Sequence, residues 1–400
     1  MSITRALGAA LAVTFALGTA ASLAAQTTYP SVKVKGRLQV QAYDYNHSTF
    51  ASAGDSGVSN IFVRRARIEV EGDINEYVKV KIQPSFEGGR APSTSTCTSG
   101  KLRPDSTVAI TCTNGNGSIR LRDAYIDVSF MKESAKTRFG IRMGQEKRPF
   151  SRYELTSSNN LPSIERGAGR GLPGKASNDI FTDNGFVSHD VGAAAIMTSK
   201  LSDKRTLYLQ AGVYNGEGES LNDKNMRKSF GIRGTIDVYS KLNVGGSYFS
   251  HDNARIAAGK DSSYSNTAWG VDGQWGKPGD AGLYAMAEYL AGKDKSVAAN
   301  DIRGYQVVAA YNIRLKSPTS WLYAVEPAFR FDESDPNTSL SGSQITTANS
   351  AFARITTWTA VLGFYMSSKA QFRIAYENQT SELDNTVTLS GVRTALTVNF

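Results

Sequence analysis

Beyond residue 30, polar and apolar side chains alternate with a period of two along nearly the whole chain. In SVKVKGRLQVQA, Val32, Val34, Leu38, Val40 and Ala42 share one face, and Lys33, Lys35, Arg37, Gln39 and Gln41 share the other. YVKVKIQPSFE sets Val78, Val80, Ile82, Pro84 and Phe86 against Lys79, Lys81, Gln83, Ser85 and Glu87. TRFGIRMGQE sets Phe139, Ile141 and Met143 against Arg138, Arg142 and Glu146. FVRRARIEVEG divides into Phe62, Arg64, Ala66, Ile68 and Val70 on one side, and Val63, Arg65, Arg67, Glu69 and Glu71 on the other. From Arg65 onward that division is clean. The alternation continues through LYLQAGVY, SFGIRGTIDV, LYAMAEYL and GVRTALTVNF. It predicts half-buried strands, and no helical stripe follows the N-terminal segment.

The connections between these strands alternate in length. Short breaks at 73–76, 131–136, 199–204, 239–241, 276–281, 315–320 and 366–370 separate longer polar stretches around 45–59, 88–117, 150–184, 215–226, 250–263, 292–300, 333–350 and 380–386. Tight turns at one end and long loops at the other describe an antiparallel meander. About 16 strands of roughly ten residues fit between the breaks, the length a tilted strand needs to cross a bilayer. The expected fold is all-β: a transmembrane, up-and-down antiparallel β-barrel of about 16 strands. Side assignment follows from cost. A Lys or Arg facing lipid at mid-depth costs roughly 2–4 kcal/mol, so the charged faces look into an aqueous lumen and the apolar faces meet lipid.

The chain has 400 residues, a net charge of +9 and two cysteines. Its mean hydropathy of −0.31 excludes a helical membrane protein. The opening MSITRALGAALAVTFALGTAASLAAQ has a basic Arg5, a short apolar run from Leu7 to Ala20 and small residues at Ser22-Leu23-Ala24. It reads as a cleaved secretory signal, residues 1–25, ahead of a barrel domain at 26–400. Export to an oxidising compartment favours a disulfide between Cys97 and Cys112, worth roughly 3 kcal/mol for a loop of about 15 residues. The final Phe400, with Val398 and Leu396 on its face, is similar to the sorting signal by which barrel-assembly machinery engages outer-membrane proteins.

FVRRARIEVEG, IRLRDAYIDVSF and RFGIRMGQEKRPFSRYELTSSNN, with IERG close behind, together resemble the phosphate-selective porin O and P family. The resemblance implies a bacterial outer-membrane channel of sixteen strands, usually a homotrimer, embedded in outer-membrane lipid. It also implies a third long loop folded into the lumen as a constriction. Here that loop is 150–184, with Arg152, Glu165, Arg166, Arg170 and Lys175. Family members are similar in lining the pore with arginines that guide small anions such as phosphate inward. Arg37, Arg64, Arg65 and Arg166 fit that role, with Lys33, Lys35, Arg67, Lys79, Lys81, Arg142 and Arg233 as further lumen cations. MRKSFGIRGTID offers Arg227, Lys228 and Arg233 in place of a dense arginine row, so the implied preference is for anions in general.

The cations act among carboxylates: Glu69, Glu71, Glu87, Asp123, Asp127 and Glu146 share their strands. A surplus of charge is felt over a Debye length of about 8 Å, comparable to a narrow pore. Other chemistry is weakly represented. GRGLPGKAS (169–177) matches a phosphate-loop spacing but has Ala176 where Ser or Thr is needed, and it reads as loop glycines. Of the histidines, His47 and His251 are expected in loops and His189 at a strand start, with no nucleophile-base constellation, so no enzyme is expected. No metal or cofactor is expected; Asp332, Glu333 and Asp335 read as a solvated cluster before a calcium site. Nucleic-acid binding is not expected, because the positive charge alternates along strands and does not form a basic patch. The alternatives are a less selective general porin, a plugged structural or adhesive barrel, and a soluble exported β-sandwich.

Overall fold

The computed structural model describes residues 29–46, 57–87, 96–102, 108–113, 119–168, 176–219, 226–257, 260–295, 300–316, 321–346, 349 and 352–400; at 58, 96–102, 108–113, 253–257, 260–263 and 384–388 only the backbone is described. The signal segment, His47, Arg170 and Lys175 lie outside these residues. The strands are β1 (Ser31–Asn46), β2 (Gly57–Asp73), β3 (Val78–Ser85), β4 (Thr96–Leu102), β5 (Val108–Thr113), β6 (Arg120–Ser129), β7 (Thr137–Lys147), β8 (His189–Ser202) and β9 (Arg205–Tyr214). They continue as β10 (Ser229–Asp237), β11 (Leu242–Ala257), β12 (Lys260–Trp275), β13 (Gly282–Asp294), β14 (Asn300–Arg314), β15 (Ala324–Asp335), β16 (Ile355–Tyr365), β17 (Ala370–Ser381) and β18 (Asp384–Asn399). Two short helices, α1 (Arg152–Leu155) and α2 (Ser177–Asp183), lie between β7 and β8.

Sixteen of the strands form one closed antiparallel barrel in which every strand pairs with its chain neighbours and β1 closes on β18. The remaining two, β4 and β5, make a separate ribbon within the second long connection. Closure leaves no bare edge, and every backbone group inside a bilayer finds its partner within the sheet. The barrel sequence therefore follows the period-two pattern: Val32, Val34, Leu38, Phe139, Ile141, Met143, Val307, Leu396 and Val398 are exposed on the outer wall. Their lumen-facing neighbours are polar and largely buried, Gln39, Gln41 and Arg393 among them.

Two differences from the sequence reading have local causes. The polar stretches 250–263 and 380–386 are mostly strand, because β11–β12 and β17–β18 stay paired to near their hairpin tips, with Ala257 opposite Lys260 and Ser381 opposite Asp384. His251 consequently lies within β11, buried, and not in a loop. In the ribbon, Cys97 stands directly opposite Cys112 in register.

The second difference is in FVRRARIEVEG. Gln39 pairs with Arg65 but Val40 pairs with Val63, so Arg64 is an extra residue with no opposite number. Such a bulge re-aims a side chain and shifts the phase of what lies beyond it. Arg64 and Arg65 both point inward, Ile61 and Val63 are exposed before the bulge, and Ile68 is exposed after it. One inserted residue reconciles a strand whose two halves disagree in parity.

The barrel closes at the last residue. The Phe400 carbonyl accepts from Gly36 N at 2.7 Å and its N–H donates back to Gly36 O at 3.1 Å. The Phe400 ring lies over Gly36, where a Cβ would come within 2.1 Å of the ring as it stands and would push it aside.

Candidate functional site

Between β7 and β8, the described residues of the loop, 148–168 and 176–188, fold along the inside of the barrel. Arg148 fastens its base, donating to Asp190 Oδ2 at 2.8 Å and to Gly216 O at 3.0 Å. The loop then follows the inner wall. Phe150, Phe181 and Phe186 pack with Phe249, Leu290 and Ile302. Tyr153 and Leu161 pack on Tyr284, Met286 and Val308. Ile164 packs on Val361, Ala375 and Ala395, and Ala168 and Ala176 on Tyr43, Tyr45 and Leu389. These wall residues belong to β11–β14, β16–β18 and β1, and their side chains face inward to be covered.

Arginines fix the loop on that flank. Glu165 accepts from Arg64 Nε at 2.8 Å and from Arg65 Nη2 at 3.1 Å, the pair that the bulge turns inward. Arg330 donates to Glu165 O at 3.1 Å, Arg373 to the Leu161 carbonyl, and Arg393 pairs with Glu377 at 3.0 Å beneath the loop. At the start of α2, Asp332 accepts from the Ser177 N–H at 2.8 Å and from its hydroxyl at 2.6 Å. Asp332 thus faces inward as a loop anchor. Among the described residues no group of three or more His, Cys, Asp or Glu could hold a metal. Burial would raise the Glu165 carboxyl, but Arg64 and Arg65 outweigh it and hold it well below the usual carboxylate range. Burial opposes Glu154 likewise, and Lys147 with Arg166 pull it down to about 2.

The opposite flank of the loop is open. A cavity of about 410 Å³ separates it from the inward faces of β6, β7, β9 and β10. Tyr125, Arg142, Tyr208 and Arg233 line the wall side, and Arg152, Leu155 and Thr156 the loop side. Arg152 reaches the wall at Asp272, 2.5 Å away, and Arg233 meets the same carboxylate at 2.7 Å.

Among the described residues, the pore-lining cations picked from the sequence are inside the barrel or at its rim, and almost all have a carboxylate. Lys33 is 3.8 Å from Asp73 at the short-turn end, and Lys35 is 2.6 Å from Glu71. Lys79 lies 3.6 Å from Asp73, and Lys81 bridges Glu69 at 3.1 Å and Asp123 at 3.2 Å. Arg67 pairs with Glu87. Arg142 sits between Asp127 at 2.6 Å and Glu146 at 3.0 Å, its guanidinium 3.9 Å above the Tyr125 ring. Arg166 is 3.6 Å from Glu154. His189 is 3.2 Å from Asp123. Among the described residues, Arg37 has no carboxylate and hydrogen-bonds Ser157, at 3.4 Å, and Ser158.

The sequence reading did not name Lys147, Asp272, Arg330, Arg373, Glu377 or Arg393. One signal marks their region. In GLYAMAEYL the inward face is mostly apolar, with Tyr284, Met286 and Leu290 around a lone Glu288, and those three need a cover inside the barrel.

Solved structures of similar shape are porins. An anion-selective porin from Comamonas acidovorans aligns with a TM-score of 0.56 at 10% identity, covering 93% of this chain and 100% of its own. The outer membrane channel DcaP of Acinetobacter baumannii aligns at 0.56 and 13% identity, covering 95% and 100%. OmpF of Salmonella typhi, solved with daunomycin, aligns at 0.54 and 13%, covering 93% and 98%. Among curated proteins nothing matches. The family model of phosphate-selective porin O and P matches residues 32–267, which spans the bulged strand, the constriction loop and the open cavity. With a closed sixteen-strand barrel, an apolar outer wall and an infolded third loop, the chain belongs to the phosphate-selective porin O and P family of bacterial outer-membrane channels.

Proposed function

We propose that the protein is a passive diffusion channel for small solutes with a modest preference for anions, phosphate or related ones included. The observation that carries this reading is the lining of the open cavity, where Arg142, Lys147, Arg152 and Arg233 outnumber Asp123 and Glu146. Low-dielectric walls focus such a surplus onto the path of an ion, and a planar guanidinium suits a phosphate oxygen pair. The preference is modest because each of these cations has a carboxylate nearby. Paired charges steer; they do not hold a stripped anion tightly.

The reading includes the homotrimer and assembly machinery that the family resemblance implies, cleavage of residues 1–25, and a Cys97–Cys112 disulfide. Salt-gradient reversal potentials on the purified protein in planar bilayers test it. A reversal potential of anion-preferring sign is expected. A cation-preferring sign would overturn the anion reading, and absence of conductance would point to the plugged adhesive barrel.

A further inference from the structure

Among the described residues three carboxylates of the lumen are each shared by two arginines: Glu87 by Arg67 and Arg122, and Glu165 and Asp272, which sit at opposite flanks of the loop. Glu165 is on the loop and buried against the wall arginines 64 and 65. Asp272 is on the wall, and only its arginines border the open cavity. Asp272 lies behind those two guanidiniums with its side chain 1% exposed. It accepts from Arg152 Nε through Oδ1 and faces Arg233 Nη1 through Oδ2, so its two oxygens are divided between a loop residue and a wall residue. Gly245 makes the room: a Cβ there would stand 2.9 Å from Asp272 Oδ1 and 3.0 Å from the Arg233 guanidinium. Glu288, opposite Asp272 on the neighbouring strand, is engaged by Ser151 at 2.8 Å and Gln306 at 3.0 Å and does not line the cavity.

We propose that Asp272 sets the ion selectivity of this channel. It cancels one of the two arginine charges that border the path and leaves the other. The triad carries a net single positive charge, and that remainder is what a passing ion feels. The inference deepens the anion-channel reading and rests on it for the direction in which the wild type leans. Its content, however, is a ranking of variants that can be read whatever the wild-type sign.

The test is the anion-to-cation permeability ratio of purified channels in planar bilayers with a potassium chloride gradient. Heat-modifiable gel mobility serves as the check that each barrel has closed. Asp272→Asn leaves two positive charges at the triad, and Arg152→Gln or Arg233→Gln leaves none. Asp272→Asn should raise the ratio roughly twofold, the effect of one unit charge felt through water at about a Debye length. Either arginine variant should lower it by a similar factor, and Asp272→Asn combined with Arg152→Gln should fall between them.

A role confined to holding the loop predicts otherwise. Asp272→Asn and Arg152→Gln break the same contact and would then move the ratio in the same direction, which would overturn the proposal. If Asp272→Asn does not assemble, the arginine variants still decide: an unchanged ratio in both refutes it. A cation-leaning wild type would sink the earlier reading alone, while the ranking would still judge this one.

Discussion

The two flanks of the constriction loop are built from the same residue types and end up in different states. On the flank facing β13–β18, β1 and β2, Arg65, Arg330, Arg373 and Arg393 are buried, while Arg64 beside them keeps 25% of its side chain exposed. Arg393 is fully buried, Arg65 nearly so, and each gives its hydrogens to a carboxylate or to loop carbonyls. On the flank facing β6–β10, Arg142 and Arg233 border open space. The difference is apolar cover. Phe150, Tyr153, Leu161 and Ile164 seal the first flank with side chains that meet inward-facing wall residues, whereas Leu155 and Thr156 face the second without a counterpart. A guanidinium under that seal works as a fastener; one beside water works as a lining. Counting arginines along strands does not separate the two roles.

The largest expected effect is on the sealed flank. Glu165→Gln leaves Arg64 and Arg65 without their carboxylate, and breaking a buried pair from one side costs roughly 3–5 kcal/mol. The loop should detach there, with higher single-channel conductance and more current noise; a quiet, unchanged channel would mean the apolar contacts suffice. An intermediate effect contrasts added bulk. Thr235→Trp fills open space and should lower conductance in a normally closed barrel. Ala375→Trp, at a fully buried wall position against Ile164, should overpack and lower resistance to thermal unfolding by about 1–3 kcal/mol. Equal behaviour of these two variants would erase the distinction between the flanks.

The smallest expected effect is with pH. Carboxyls held low in the fold, Glu165 and Glu154, contribute their full stabilisation above the unfolded value near 4.3. They lose it only as pH falls through their lowered folded values, about 2 for Glu154. The loop should therefore stay fastened between pH 7 and pH 4, and single-channel conductance should be nearly flat across that window. A step near pH 5 would show that another group holds the loop.

Much of the barrel was legible in the sequence because a strand records its two environments in alternate residues. The side assignment and the count of about sixteen strands follow from that record, whereas the infolding of the third long loop is implied by the family resemblance. Arg64 shows where local parity fails, since an extra residue shows its effect only when the partner strand is aligned. The pairing of Arg64 with Glu165, or Arg152 with Asp272, joins positions far apart in the chain, and alternation says nothing about partners. The hairpins at 250–263 and 380–386 were misplaced because polar residues near a barrel's rim are compatible with both strand and loop. The large apolar residues on the inward face of β13, Tyr284, Met286 and Leu290, mark the wall that the loop covers.

The contact of Phe400 with Gly36 places a demand on biogenesis. The seam between β1 and β18 is the longest-range strand pairing among the described residues, joining Arg37 to Asn399 and Asn46 to Ser390. Until β18 has reached β1 the sheet has two raw margins, each a template for adhesion to another chain. A sheet sealed by its first and last strands gains that protection only at the end of its folding.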